Sequence, residues 1–116
     1  MRAILISSDL MFISKVKEVA AATGAQLSTA RSLTALDKAV SESGETGVLM
    51  LDLEKSGVPL DALAPVVRGM IEQGWRTVSF FSHVHEEVCG EAQSLGLGEV
   101  MPRSRFVKLL PELFSR

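Results

Sequence analysis

Two apolar runs that each lead to an aspartate are the clearest pattern along the chain. The apolar residues 3–6 are followed by two serines and then by Asp9, and residues 47–53 are apolar except for Asp52. Near-continuous apolar runs of this length predict strands buried on both faces, as in a parallel sheet covered by helices. Ligands bind beyond the carboxyl ends of such strands, so we expect Asp9 and Asp52 to lie in one crevice.

Segments with helical periodicity alternate with short apolar segments along the rest of the chain. Helices are predicted from just after Asp9 to near Gly24, over 33–43, through 63–71, over 84–95 and over 104–113, with further strands at 25–30, 77–81 and 98–101. Ser32 and Ser104 are the expected N-caps of the second and fifth helices. Pro65 predicts a third helix that begins only shortly before it, and Pro111 is expected to kink or shorten the fifth.

Five strands that alternate with five helices predict one fold class, a flavodoxin-like doubly wound α/β sheet. The five strands are all parallel in this class, in the order 2-1-3-4-5, with helices on both faces, because right-handed crossovers leave few alternatives. Strands one and three are then neighbours where the strand order reverses, which again brings Asp9 and Asp52 together. The 116 residues are expected to form a single domain, 1–116.

Composition and charge argue against a nucleic-acid-binding protein and against a membrane protein. The formal net charge is −2, the basic residues are spread along the chain and there is no tyrosine, so the sequence lacks the footprint of a nucleic-acid binder. No apolar stretch approaches the ~20 residues of a membrane span and no secretory signal is present, so we expect a cytoplasmic protein without a membrane partner. Cys89 is the single cysteine, which excludes an internal disulfide.

The residues at the strand ends resemble those of the receiver domains of two-component response regulators, over nearly the whole chain. Receivers carry an acidic pair after strand one, a phosphate-accepting aspartate after strand three, a Thr or Ser after strand four and a Lys-Pro after strand five. Asp52 matches the acceptor position, within Val-Leu-Met-Leu-Asp-Leu and with Gly57 in the following loop. Ser82 matches the strand-four hydroxyl.

Other positions depart from the receiver pattern. Ser7 and Ser8 stand where the acidic pair is expected, Arg103 replaces the lysine and Ser104 replaces the proline. Segments 82–84 and 102–106 are similar to a divergent group of stand-alone receiver-like bacterial proteins. The resemblance therefore implies a degenerate receiver.

The departures affect the metal and the phosphate contacts that the resemblance implies. Mg²⁺ requires a near-octahedral oxygen shell, so at most a weak site is expected from Asp9, Asp52 and the backbone carbonyl of Glu54. Arg103 is a planar fork that pairs well with a carboxylate, and it either pairs with Asp52 or receives an anion near Ser104. The alternative for Asp9 is to cap the first helix, and for Asp52 to cap a nearby backbone turn.

His83, His85 and Cys89 form a second cluster of metal-ligating residue types. Zinc sites usually need three or four ligands and only Glu86 and Glu87 lie nearby, so we do not expect a metal there. Cys89 is instead expected to be buried in the fourth helix. A general-base role for His83 has no supporting residue pattern.

Three functions are consistent with this sequence. The leading hypothesis is a pseudo-receiver, a non-enzymatic signalling module that binds a protein partner and has impaired or lost Mg²⁺-dependent phosphorylation. The first alternative is an active response regulator that a sensor histidine kinase phosphorylates on Asp52, and the second is a small ligand binder or enzyme of the same fold.

A receiver with no attached output domain must act by binding a kinase or an effector. The expected contact face, also available for a homodimer, is formed by the fourth helix, fifth strand and fifth helix. The candidate contact residues on this face are Arg105, Lys108, Glu112 and Arg116. The alternative is that they form an ordinary solvated helix face.

Overall fold

A five-stranded, all-parallel sheet forms the centre of the molecule in the computed structural model. The structure describes residues 1–82 and 86–115, with the backbone alone at 86–89. The elements are β1 (Arg2–Ile6), α1 (Leu10–Thr23), β2 (Gln26–Ala30), α2 (Leu33–Ser43), β3 (Val48–Asp52), α3 (Leu60–Glu72), β4 (Arg76–Phe81), α4 (Glu86–Ser94), β5 (Glu99–Pro102) and α5 (Arg103–Leu113). The strand order β2-β1-β3-β4-β5 confirms the predicted flavodoxin-like class.

The register of β1 against β3 determines where the crevice lies. Ile6 pairs with Leu51, so Ser7 and Asp52 follow the last paired residues of two neighbouring strands. All five residues of β3 are buried, as a central strand covered on both faces requires. The two carboxyl ends therefore open at the same edge of the sheet.

Helices cover both faces of the sheet and enclose two apolar layers. The layer under α1 and α5 contains the aromatic rings of Phe12, Phe80, Phe106 and Phe114. The layer on the opposite face packs against α2, α3 and α4, and it includes Trp75, which is 4% exposed and directly precedes β4. Among the described residues, no helix is both long and apolar enough to cross a membrane.

Polar side chains determine where the first two helices begin. The Asp9 carboxylate accepts a hydrogen bond from the Phe12 N–H at 3.2 Å, and the Ser32 hydroxyl accepts one from the Ala35 N–H at 3.1 Å. Each bond satisfies a backbone donor that the helix itself leaves free. Capping by Asp9 and by Ser32 is therefore confirmed.

The predicted cap of the fifth helix is wrong. Pro102 has an extended backbone and α5 begins directly after it at Arg103, so Ser104 is the second residue of the helix. Pro102, at the N-cap position, makes no side-chain capping hydrogen bond. The earlier start makes Arg103 the first helical residue, at the edge of the sheet where the crevice opens.

The two helical prolines limit their helices less than the sequence predicted. The helix α3 begins at Leu60, five residues before Pro65, because the Pro59 carbonyl accepts hydrogen bonds from the Ala62 and Leu63 N–H groups. The helix α5 passes through Pro111 and ends at Leu113, so the proline does not end it. Residues 83–85, at the predicted start of α4, lie outside the described residues.

Candidate functional site

A cavity of about 440 Å³ opens at the carboxyl edge of the sheet, beside the ends of β1 and β3. It is lined by Asp9, Met11, Phe12, Lys15, Lys55 and Arg103. Three of these residues are cations and only one carries a carboxylate at the cavity wall. A crevice is therefore present at the predicted edge, with more positive than negative side chains around it; Asp9 lines it, whereas Asp52, which the sequence also placed there, is not among its lining residues.

Asp52 lies at the end of β3 and only 1% of it is exposed. One carboxylate oxygen, Oδ1, accepts hydrogen bonds from the N–H groups of Glu54 at 3.2 Å and Lys55 at 3.1 Å. The other, Oδ2, accepts a hydrogen bond from the Ser7 hydroxyl at 2.9 Å. Asp52 thus caps the turn after β3, which was the alternative interpretation of this residue from the sequence. Both of its oxygens have partners inside the protein.

Arg103 brings a cation to both aspartates. Its Nη2 atom lies 3.5 Å from Oδ2 of Asp9 and 3.6 Å from Oδ2 of Asp52. The side chain is 27% exposed, against 1% for Asp52, so this ion pair is largely shielded from water. Of the two roles left open for Arg103, pairing with Asp52 is the one that the structure contains, and the pair extends to Asp9.

An aromatic cluster holds the arginine in place. The guanidinium carbon of Arg103 lies 4.2 Å from the centre of the Phe12 ring, which is the geometry of a cation–π contact. The Phe12 ring lies 5.1 Å from that of Phe80, which stacks on Phe106 at 4.2 Å. The charged group is therefore fixed by core packing on one side and by the carboxylates on the other.

Asp9 combines capping of α1 with ion pairing. Its Oδ1 atom accepts the Phe12 N–H, and its Oδ2 atom lies 3.5 Å from Arg103 and 3.8 Å from Nζ of Lys55. The Phe12 hydrogen bond, followed by the charges of Lys55 and Arg103, lowers the pKa of Asp9 from the usual 3.8, against the opposing effect of burial. Asp9 therefore belongs to the site and to the helix start.

The two serines at the acidic-pair positions have different surroundings. Ser7 is fully buried, donates its hydroxyl to Asp52 and accepts a hydrogen bond from the Asp9 N–H at 3.1 Å. Ser8 is exposed, and both its N–H and its hydroxyl donate to the Lys55 carbonyl, at 2.6 and 2.9 Å. Ser7 thus contacts the acceptor-position aspartate directly, while Ser8 holds the loop that follows β3.

Ser82, after β4, is held by the side chain of Glu54. Oε1 of Glu54 accepts hydrogen bonds from the Ser82 N–H and from its hydroxyl, the latter at 2.7 Å. The sequence indicated only the backbone carbonyl of Glu54, as a metal ligand, and gave no sign of this contact by its carboxylate. The contact ties the loop after β3 to the end of β4.

The histidine and cysteine cluster lies mostly beyond what the structure describes. His83 and His85 are outside the described residues, and for Glu86, Glu87 and Cys89 only the backbone, within α4, is described. Within residues 1–82 and 90–115, no group of three His, Cys, Asp or Glu side chains could hold a metal ion.

Two residues of the site were missed by the sequence argument. Neither Phe12 nor Lys55 was among the residues that the sequence pattern placed at the site. Lys55 lies three residues after Asp52, which is the spacing at which a backbone N–H reaches a capping carboxylate. That spacing could have placed the lysine at the site, whereas nothing local in the sequence indicates that Arg103 lies over Phe12.

Together these groups form a compact cluster of balanced charge. Asp9 and Asp52 supply two negative charges, and Arg103 and Lys55 supply two positive charges within 4.0 Å of them. Such a cluster holds a carboxylate in a fixed place without an external cation. No family model matches the chain, and no curated protein matches it in sequence.

Proposed function

We propose that this protein is a receiver-like signalling module that acts by binding a protein partner and in which Mg²⁺-dependent phosphorylation of Asp52 is impaired or lost. The observation that carries the proposal is the state of the Asp52 carboxylate, which is buried and has internal partners on both oxygens. A phosphoryl acceptor needs an oxygen free to attack in line with the leaving group. Here Oδ2 already accepts the Ser7 hydroxyl and lies 3.6 Å from Nη2 of Arg103, so both groups compete with an incoming phosphoryl group.

The charges around the crevice support weak metal binding at most. Mg²⁺ is held in proteins by carboxylates and substrate phosphates, and it keeps several waters. Asp9 and Asp52 are the carboxylates available here, and Arg103 and Lys55 already lie beside them. A divalent cation would be repelled by both cations, so the donor set does not fit a Mg²⁺ site of useful strength.

Protein binding is the remaining route for such a module to signal. Arg105, Lys108 and Glu112 lie on the exposed side of α5, where the sequence predicted a contact face, while Arg116 lies outside the described residues. A sensor kinase or a downstream effector is the expected class of partner. The proposal includes no reaction on a separate substrate, so the protein is not proposed to be an enzyme.

The test is the intact mass of the protein after incubation with a small phosphoryl donor, with and without Mg²⁺. We expect no adduct, and no Mg²⁺ binding at millimolar concentration in a calorimetric titration. Asp52→Asn is the control, because it keeps the shape of the side chain and removes the acceptor oxygen. A Mg²⁺-dependent adduct that is absent from Asp52→Asn would overturn the proposal in favour of an active response regulator.

A further inference from the structure

The two edges of the sheet differ in how they are protected against pairing with another strand. Edge strands expose backbone N–H and C=O groups, and monomeric proteins usually block them with charged residues or proline. The edge strand β5 has both: Pro102 lacks an N–H, and Glu99 forms an ion pair with Arg76 at 3.1 Å. The edge strand β2 has neither, since its sequence is Gln-Leu-Ser-Thr-Ala.

The backbone of β2 has a defined set of outward groups. In the described chain β2 pairs only with β1, and the Gln26 N–H donates to the Met1 carbonyl. Backbone direction alternates along a strand, so Gln26, Ser28 and Ala30 point their N–H and C=O groups towards β1. The N–H and C=O groups of Leu27 and Thr29 therefore point away from the sheet.

We propose that β2 is a self-association edge, at which a second copy of this chain adds its own β2 antiparallel and the two sheets become continuous. The set of outward groups selects one register. If Leu27 of one copy lies opposite Thr29 of the other, the two copies exchange four backbone hydrogen bonds across a twofold axis. The next possible registers are shifted by two residues; one would require the N–H of Ala25, which already donates to the Ala20 carbonyl, and the other would require the backbone of Arg31, which lies beyond the end of β2.

This register places Ser28 opposite Ser28 of the second copy at the twofold axis. The two form a non-hydrogen-bonded pair, the type in which facing side chains are closest, with Cα atoms about 4.5 Å apart. Ser28 is exposed, and β2 contains no charge that would meet its own copy across the axis. A self-paired strand must avoid like charges facing each other, and the neutral sequence of β2 meets that condition, which favours a second copy over a charged partner.

The expected association is weak. Two strands of five residues bury less area than the ~1,200 Å² of a typical stable interface, so the dimer should form in the micromolar to millimolar range. The test is sedimentation equilibrium of the whole chain from about 10 µM to about 1 mM, for the unmodified protein, Ser28→Lys, Ser28→Glu and an equimolar mixture of the two variants.

We expect the unmodified protein to dimerise, each variant alone to dimerise about tenfold more weakly, and the mixture to recover the dimer, because lysine then faces glutamate. Ser94→Lys and Ser94→Glu are the matched controls, since Ser94 is exposed on α4 at the other side of the sheet. They should behave like the unmodified protein. Far-UV circular dichroism checks that every variant is folded.

A second measurement needs no variant. Hydrogen exchange of the Leu27 and Thr29 amides in the unmodified protein should slow as concentration rises, while that of the Ser28 amide, which points to β1, should stay constant. The proposal is wrong if the unmodified protein is monomeric throughout, if the Ser28 mixture fails to recover the dimer, or if only the Ser94 variants weaken it. The last result would place self-association on the face of α4, β5 and α5.

Discussion

Replacing Arg103 with methionine tests the central feature of the site, the shielded cation shared by Asp9 and Asp52. At an effective dielectric constant of about 20, unit charges 3.6 Å apart interact by roughly 4.6 kcal/mol, which is an upper limit for the Asp52 pair. Asp52 keeps its two backbone donors and the Ser7 hydroxyl in the variant, which lowers the cost. Loss of the cation–π contact with Phe12 adds about 0.5–1 kcal/mol.

We therefore expect Arg103→Met to lower the free energy of unfolding by about 2.5 kcal/mol. Removing one partner of a fully buried pair usually costs ~3–5 kcal/mol, and the partial exposure of Arg103 accounts for the lower figure. Urea unfolding followed by circular dichroism measures the change. With an m value of about 1.5 kcal/mol per molar urea, the midpoint should fall by about 1.7 M.

A double-mutant cycle with Asp52→Asn separates the ion pair from lost packing. If the pair stabilises the fold as argued, Arg103→Met should cost about 1.5 kcal/mol less in the Asp52→Asn background than in the unmodified protein. The remaining cost then reports Asp9 and Phe12. A coupling below about 0.5 kcal/mol would show that Arg103 acts through packing alone and would refute the reasoning.

Three further predictions concern the same crevice. Because the pKa of Asp9 is lowered in the folded state, its contribution to stability is present above pH 3.8 and is lost as pH falls through the lowered value. Asp9→Asn should therefore weaken the pH dependence of the unfolding midpoint between about pH 5 and about pH 2.5, and an unchanged dependence would contradict this. The double variant Ser8→Asp with Arg103→Lys should bind Mg²⁺ about tenfold more tightly in a titration than the control Ser8→Asn with Arg103→Lys. Equal binding by the two would mean that Ser8 does not stand at the position of the acidic pair. Glu54→Ala should speed hydrogen exchange of the Ser82 amide by about tenfold, whereas Glu54→Gln, which keeps an acceptor oxygen, should change the rate less. Equal effects of the two variants would exclude Glu54 as the hydrogen-bond acceptor of that amide.

The fold was predictable because its signals are local and periodic. The apolar run of β3 and the helical spacing of Ile13, Val16 and Ala20 each report burial directly, and the strand order follows from right-handed crossovers. The start of α5 was predicted wrongly because serine is a common N-cap, whereas the chain enters this helix from the fixed backbone of Pro102.

The candidate site was predictable only in part. Asp9 and Asp52 were predicted because strand ends of a parallel sheet meet at one edge, whereas Arg103 was considered because it stands at the lysine position of the receiver pattern. The contacts of the Phe12 ring and of the Glu54 carboxylate depend on side-chain rotamers. Residues distant in the chain select these rotamers: Arg103 lies over the Phe12 ring, and Ser82 donates to the Glu54 carboxylate. Such contacts leave no periodic trace in the sequence.

The position of Trp75 has a practical consequence for optical spectroscopy. The chain has one tryptophan and no tyrosine, so its intrinsic fluorescence above 300 nm comes from one indole ring. That ring is buried just before β4, at the end of the sheet remote from Asp52. Its emission should therefore shift to longer wavelength when the domain unfolds and stay nearly constant when only the crevice changes, which lets one fluorophore distinguish global unfolding from events at the site.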